Sequence, residues 1–134
     1  MSLFAAFDVA GSGLRTTRKW LDAVSDNISN INTATRTDQD AFQSRMIVAE
    51  AANYGNGGGV KVAGAVFGSA EGRMVHQPDH PLADEEGYIR MPDIDLGDQM
   101  TQLMIAQRGY QSNLSVVERA KDAYTQALRL GQRG

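Results

Sequence analysis

Residues 96–128 read LGDQMTQLMIAQRGYQSNLSVVERAKDAYTQAL, and residues 3–31 read LFAAFDVAGSGLRTTRKWLDAVSDNISNI. In the first stretch Leu96, Met100, Leu103, Gln107, Tyr110, Leu114, Val117, Lys121, Tyr124 and Leu128 follow one another in alternating steps of four and three. In the second, Leu3, Phe7, Ala10, Leu14, Thr17, Leu21, Val24, Ile28 and Ile31 do the same. That spacing holds a stripe to one side of a helix and marks a coiled-coil seam, interrupted here at Thr17, Gln107 and Lys121. A long helix is therefore predicted at each terminus. Ends that both carry seams are expected to come together.

Capping signals bound the two helices. Ser2 is placed to cap a helix that starts at Leu3 and runs to about Ile31, where Asn30, Asn32, Thr33, Thr35 and Thr37 favour turns. Asp95 or Asp98 opens the second helix, and Arg129 with Gly131 beyond it closes the pattern. Gly11, Gly13 and Gly109 each cost about 1 kcal/mol against Ala inside a helix. The first two imply fraying or close packing against another backbone, and Gly109 is expected to be a local weakness. Off the stripe, Ala5, Ala6, Val9 and Ala23 add small apolar surface, as a crowded bundle requires and a two-stranded coil does not. Phe4, Val9, Met104, Ile105 and Val116 also lack cover from a simple helix pair, which argues for partner subunits. Trp20 is expected beside the stripe, as an anchor or as an extension of it.

Between the helices the period changes. Val60–Phe67 alternates as a strand, Phe42, Met46 and Val48 alternate loosely, and Met74–His76 and Tyr88–Met91 read as short strands around the turn-rich Gln77–Pro81. Asn53–Gly59 is expected to form a loop or hairpin end. At roughly 55–60 residues this section is near the lower limit for an independent core. The fold class expected is mainly α with a small β unit: an N-terminal helix over 1–35, a β and loop region over 36–94, and a C-terminal helix over 95–134 that pairs with the first as a coiled coil.

The composition narrows the chemistry. The 134 residues include 22% charged and 42% apolar, as an ordinary folded protein does, and the net charge of −3 supplies no basic face for nucleic acid. Without cysteine there is no disulfide framework and no thiolate site. No run is long and apolar enough for a transmembrane helix, and Met1–Gly13 lacks the basic start of a secretory signal.

Residues of types that carry chemistry have plainer readings here. His76 and His80 lie near Asp79, Asp84, Glu85 and Glu86, but Pro78 and Pro81 bar the helix that would align the two imidazoles for a metal. The same cluster, or Asp93, Asp95 and Asp98, offers paired carboxylates without any sign of the burial that would separate their acidities. Gly57-Gly58-Gly59-Val60-Lys61 lacks the Lys-Ser/Thr ending and the following helix of a phosphate loop. Arg15, Arg18 and Lys19 flank Trp20 as a membrane-docking helix would, but Asp22 and Asp26 dilute the patch. No catalytic residue, cofactor, metal or small-molecule substrate is expected.

Ser12-Gly13-Leu14, Leu21-Asp22 and Asp26-Asn27-Ile28-Ser29-Asn30-Ile31-Asn32-Thr33 resemble the N-terminal signature of bacterial flagellar axial proteins, the rod and hook family. Asp95-Leu96, Met100, Leu103-Met104 and Ala106-Gln107-Arg108-Gly109-Tyr110-Gln111-Ser112-Asn113 resemble its C-terminal signature. Gly59–Gly64, Pro78–Asp84 and Gly87–Pro92, with the short length, resemble the proximal-rod branch, so the likeness spans nearly the whole chain. The sequence departs at Ser29 and Gly109, where the family usually has Ala, and at Ala34–Ala41, which lacks the usual Gly-Pro.

The resemblance implies a non-enzymatic subunit of the basal-body rod, exported through the flagellar type III apparatus without signal cleavage and assembled in the periplasm. Its partners would be other rod proteins and copies of itself. Terminal helices would pair and line the axial channel, with the β unit outside them. Asn27, Asn30 and Asn32 match the family's Asn-rich turn and are expected to shape the exit from the first helix. Gln107, Arg108, Tyr110, Gln111 and Asn113 match the second signature, where polar groups on a seam fix register at some cost in stability. With these, Leu3, Phe7, Leu14, Leu21, Val24, Ile28, Ile31, Leu96, Met100, Leu103, Leu114, Val117, Tyr124 and Leu128 are the expected assembly residues. The competing reading is a self-contained helical adaptor for a partner protein or a membrane surface.

Overall fold

The computed structural model describes residues 2–55 and 57–134, so Asn56 within the expected Asn53–Gly59 turn falls outside the described residues. Ser2 is extended, and its hydroxyl accepts the Ala5 amide at 3.1 Å, which satisfies one of the free N–H groups that any helix start leaves over. Helix α1 then runs Leu3–Ser29. It stops two residues before Ile31 because Asn30 takes the C-cap and folds its Nδ2 back onto the Asp26 carbonyl at 2.9 Å. Helix α2 spans Leu96–Gly131, with Asp95 as its N-cap accepting the Asp98 amide at 2.8 Å. Gly131 keeps helical geometry instead of ending the helix, and Gln132 is the C-cap. The last turn is exposed, so no chain reversal demands a left-handed residue there.

The middle of the chain forms two antiparallel hairpins instead of one sheet. Strands β1 (Arg45–Ala51) and β2 (Val60–Phe67) pair from Arg45↔Phe67 to Ala51↔Val60, with an irregularity at Val48/Ala49. Strands β3 (Arg73–His76) and β4 (Tyr88–Met91) pair from Arg73↔Met91 to His76↔Tyr88.

The segment without the family's usual Gly-Pro is pinned to the second hairpin. Thr35 exchanges two backbone hydrogen bonds with Arg90, at 2.8 and 3.0 Å. The Arg90 guanidinium donates to the Glu71 carbonyl and, at 2.7 Å, to the Thr37 carbonyl. Ala41 donates to the Ala70 carbonyl at 2.8 Å. Gly72 enters β3 with φ +59, where a Cβ would strike both the Met91 carbonyl and Ala41. Ile89, with no exposed surface, is the largest fully buried side chain of the protein.

The turn between β3 and β4 depends on Asp84. Its Oδ1 accepts the amides of Tyr88 at 2.8 Å and Glu86 at 3.0 Å. These bonds hold its carboxyl below the ordinary 3.8, the Tyr88 amide being the largest cause. A depressed folded-state value means that the turn's stabilisation is complete above the unfolded value and disappears as pH falls through the folded one. We predict that amide exchange at Glu86 and Tyr88 accelerates relative to β1–β2 only below pH 3.8, and that Asp84→Asn removes this pH dependence.

Candidate assembly interface

Four contacts fix how the helices meet. The rings of Phe4 and Tyr124 pack edge-on with centroids 6.0 Å apart. A Cβ on Gly13 would lie 2.5 Å from Asn113 Oδ1, and one on Gly109 would lie 3.1 Å from the Thr17 methyl. Asn27 Nδ2 donates to Gln99 Oε1 at 2.9 Å. Partners on α2 descend as residues on α1 ascend, so the pair is antiparallel.

Extending these contacts in alternating steps of three and four gives the seam. On α1 it is Leu3, Ala6, Ala10, Gly13, Thr17, Trp20, Val24 and Asn27. Facing them in order on α2 are Tyr124, Ala120, Val117, Asn113, Tyr110, Ala106, Leu103 and Gln99. On this seam Ala10, Gly13, Val24, Asn27, Ala106 and Ala120 are buried, while Ala5, Ser12, Thr16 and Ala23 of α1 are buried off it and Tyr124 stays exposed at its end.

Half of each expected stripe is therefore on the seam between the helices. The columns Leu3–Ala10–Thr17–Val24 and Leu103–Tyr110–Val117–Tyr124 sit where the periodicity puts them. The other two columns are displaced. Phe7, Leu14, Leu21 and Ile28 are half-buried beside the seam, and Ala6, Gly13, Trp20 and Asn27 take their place. Met100, Gln107, Leu114, Lys121 and Leu128 are exposed, and Gln99, Ala106, Asn113 and Ala120 take theirs. Small side chains let the backbones approach more closely than Leu or Met would. Gly13 and Gly109 are thus close-approach residues, and Gly109 is no weak point. Trp20 lies on the seam across from Ala106 and lines a cavity of about 390 Å³ with Met46, Phe67 and Gln102.

The displaced columns share one side of the pair. At 100° per residue each lies about 70° round its helix from the seam, in the same rotational sense. Antiparallel helices are related by a two-fold axis normal to their common plane, so equal rotations bring both columns to one face. Beyond Tyr124, α2 outruns α1 by roughly 10 Å at 1.5 Å per residue, and there Leu128 and Leu130 are 50% and 72% exposed. Leu96 is exposed at the other end of α2, Arg108 and Gln111 point off the seam into solvent, Ile31 is half-buried and Asn32 is exposed.

The first hairpin lies along α1 on its other flank, held by two polar side chains that periodicity passes over. Buried Ser12 donates to the Val9 carbonyl at 2.6 Å and accepts the Val60 amide at 3.0 Å. Buried Asn27 accepts the Arg45 amide at 2.8 Å and donates to the Arg45 carbonyl at 2.9 Å, in addition to its bond with Gln99. An ion pair between Arg45 and Asp26 flanks it. The Asn-rich turn thus divides its work: Asn27 joins α1, α2 and β1, whereas Asn30 ends the helix. A signal for Ser12 was present, because a hydroxyl set between Gly11 and Gly13 marks a helix surface that something approaches closely.

The groups weighed for catalysis have local roles. His76 packs edge-on against Tyr88 with centroids 4.9 Å apart. His80 Nδ1 accepts the Leu82 amide at 3.1 Å, and Lys61 pairs with Glu50 at 3.0 Å. Among the described residues no cluster of three or more His, Asp or Glu side chains is disposed to hold a metal, and no helix is long and apolar enough to cross a membrane.

Comparison with known proteins accords with this architecture. Residues 7–34 match the family described as flagella basal body rod protein, and residues 85–130 match the C-terminal family of the flagellar basal body rod proteins FlgEFG. The chain is 36% identical to the flagellar basal-body rod protein FlgC of Salmonella typhimurium, over 98% of its own length and all of the relative's. It is 37% identical to the FlgC of Yersinia enterocolitica and 28% identical to that of Bacillus subtilis, again over 98% of this chain and 100% of each relative. The chain belongs to the FlgC family. Its role is structural, as a subunit of the flagellar basal-body rod. The two matched segments fall mainly on the two seam helices, which explains why they are found at opposite ends of the sequence.

Two substitutions test the seam. Gly13→Ala should cost about 1–3 kcal/mol by forcing the helices apart, as overpacking does. Adding Asn113→Ala should recover most of that loss, and a thermodynamic cycle from urea titrations measures the coupling. Asn27→Ala leaves Arg45 and Gln99 without partners and should cost about 2–3 kcal/mol. In hydrogen exchange, that variant should lose protection in β1 before the centre of α2.

Proposed function

We propose that this rod subunit polymerises with other rod proteins and with copies of itself through the apolar face formed by the displaced columns, Phe7, Leu14, Leu21 and Ile28 on α1 and Met100, Leu114 and Leu128 on α2. The observation that carries the reading is the placement of the large side chains. The helix pair meets closely at Ala10, Gly13, Ala106 and Ala120 and leaves Met100, Leu114 and Leu128 exposed on the face of the displaced columns. On that face Met100, Leu114 and Leu128 are 46%, 37% and 50% exposed. Full burial of a wholly exposed side chain of this size gains about 1.5–3 kcal/mol, and each of these part-exposed ones gains a share of that on being covered. The remaining residues expected at the interface extend this face: Ile31 and Asn32 at the exit from α1, and Gln107, Arg108 and Gln111 along α2.

In this reading residues 1–35 and 95–134 form the inner helical layer that lines the axial channel, and residues 36–94 lie outside it. Contacts are heterologous, so addition of subunits continues helically instead of closing into a dimer. The subunit reaches the periplasm through the flagellar export apparatus without loss of a signal peptide. It transmits torque mechanically and catalyses no reaction. Protruding helix ends such as Leu128–Leu130 engage the next subunit, which a self-contained adaptor would not need.

Leu114 is 37% exposed and belongs to the displaced column. Leu114→Asp is expected to leave the melting temperature within about 2 °C of wild type, as surface changes usually do, while abolishing incorporation into basal bodies. Leu103→Asp, on the seam itself, should unfold the helix pair. Normal rods built from Leu114→Asp subunits would defeat the proposal.

A further inference from the structure

A groove of about 520 Å³ runs between α1 and the first hairpin, away from the apolar face. Arg15, Arg18, Lys19 and Lys61 line it, with Asp22 as the single carboxylate and Tyr54 at its edge. Lys61 is paired with Glu50, but among the described residues no ion pair joins Arg15, Arg18 or Lys19 to a carboxylate. Arg15, Arg18 and Lys19 thus outnumber Asp22 in one groove of a chain whose net charge is −3. That local excess of positive charge attracts an anionic occupant.

The same chain carries the complement. Asp79, Glu85 and Glu86 are exposed on the turn between β3 and β4, while Asp84 is engaged in holding that turn. Among the described residues, β3 and β4 pack against neither helix nor the first hairpin. No residue of the acidic turn lines the groove of its own molecule, which leaves the match available between molecules.

We infer that the groove lined by Arg15, Arg18 and Lys19 receives the acidic turn of a neighbouring copy, Asp79 and Glu85-Glu86, in a head-to-tail contact. This names a second contact within the assembly and rests on the reading of the chain as a polymerising rod subunit. Groove and turn are different surfaces, so the contact is heterologous and passes from one copy to the next. Its electrostatic character gives it a task distinct from that of the apolar face. Opposed charges steer approach and select register, whereas apolar burial supplies most of the holding energy.

The absence of cysteine makes a direct test possible. Full-length chain carrying Arg18→Cys and Glu85→Cys is expressed in place of wild type, and basal bodies are isolated after mild oxidation. Disulfide-linked multimers of this chain are expected when both substitutions are present and none with either alone, because a disulfide needs Cα atoms within about 7 Å. Incorporation of the double variant without cross-links overturns the groove contact while leaving the rod reading intact. Absence of wild-type chain from basal bodies overturns both.

A charge exchange decides the matter if the cysteine variant is not incorporated. Arg18→Glu with Lys19→Glu, or Glu85→Lys with Glu86→Lys, should each reduce swimming at least about tenfold, and the four together should restore it, as charge pairs with real coupling do. Failure of the combination to recover overturns the inference. So does binding of the purified chain to phosphatidylglycerol vesicles that Arg18→Glu with Lys19→Glu abolishes, in the absence of cross-links, since it assigns the groove to lipid.

Discussion

Everything in this subunit is arranged around the close approach of α1 and α2. Two helices approach tightly only where side chains at the contact are small, and here Ala6, Ala10, Gly13, Ala106 and Ala120 supply the room. Asn113 fills the notch left by Gly13 and donates its own Nδ2 to the Gly109 carbonyl at 2.8 Å, so it is held in place before the helices meet. Polar groups at Asn27 and Gln99 then set the register at one end. A seam built in this way is specific but yields little apolar burial. Its consequence is that Phe7, Leu14 and Leu21 are left half-buried beside the seam and Met100 and Leu114 exposed.

The energetics of the isolated chain follow from that division. Its largest fully buried side chains are Ile89, Asn27, Pro92 and Ser12, and two of these four are polar. A core of that kind holds a shape through hydrogen bonds and close contact, with a narrow margin over conformational entropy. Strand β2 illustrates the point, since only Val60 at its start is other than exposed, while Val62, Val66 and Phe67 face solvent. Its docking rests on Ser12 at one end of the hairpin and Asn27 at the other.

Much of this was legible in the sequence, and the reasons for the misses are physical. Heptad spacing located both helices, and alternation located β2 and β4 at Val60–Phe67 and Tyr88–Met91. The choice of seam column was misread because periodicity weights large apolar residues. Ala6, Gly13, Trp20 and Asn27 have the same repeat as Phe7, Leu14, Leu21 and Ile28, one position away. In a solitary globular protein the larger column would normally win the contact, through the hydrophobic gain. Here the smaller one does, and Gly13 and Gly109, both conspicuous inside helices, were the residues that pointed to it. Two hairpins could not be distinguished from one sheet, because strand signals carry no information about which strands pair when each is short. Ser12 and Thr16 were invisible to any hydrophobic template, being buried polar groups on the flank that carries the hairpin.

The separation of small and large columns also bears on how a polymer avoids premature assembly. If the large columns packed within the monomer, adding a subunit would first require breaking that contact, and elongation would be slow. If no seam existed, the terminal helices would present apolar surface on every side and associate without register. A small-residue seam between these extremes fixes the antiparallel pair while leaving a single oriented face. Orientation matters because a heterologous contact propagates only when each subunit offers the same face in the same direction. The polar seam residues Asn27, Gln99 and Asn113 bear on the proposed assembly indirectly, because the register they set determines where Met100, Leu114 and Leu128 point.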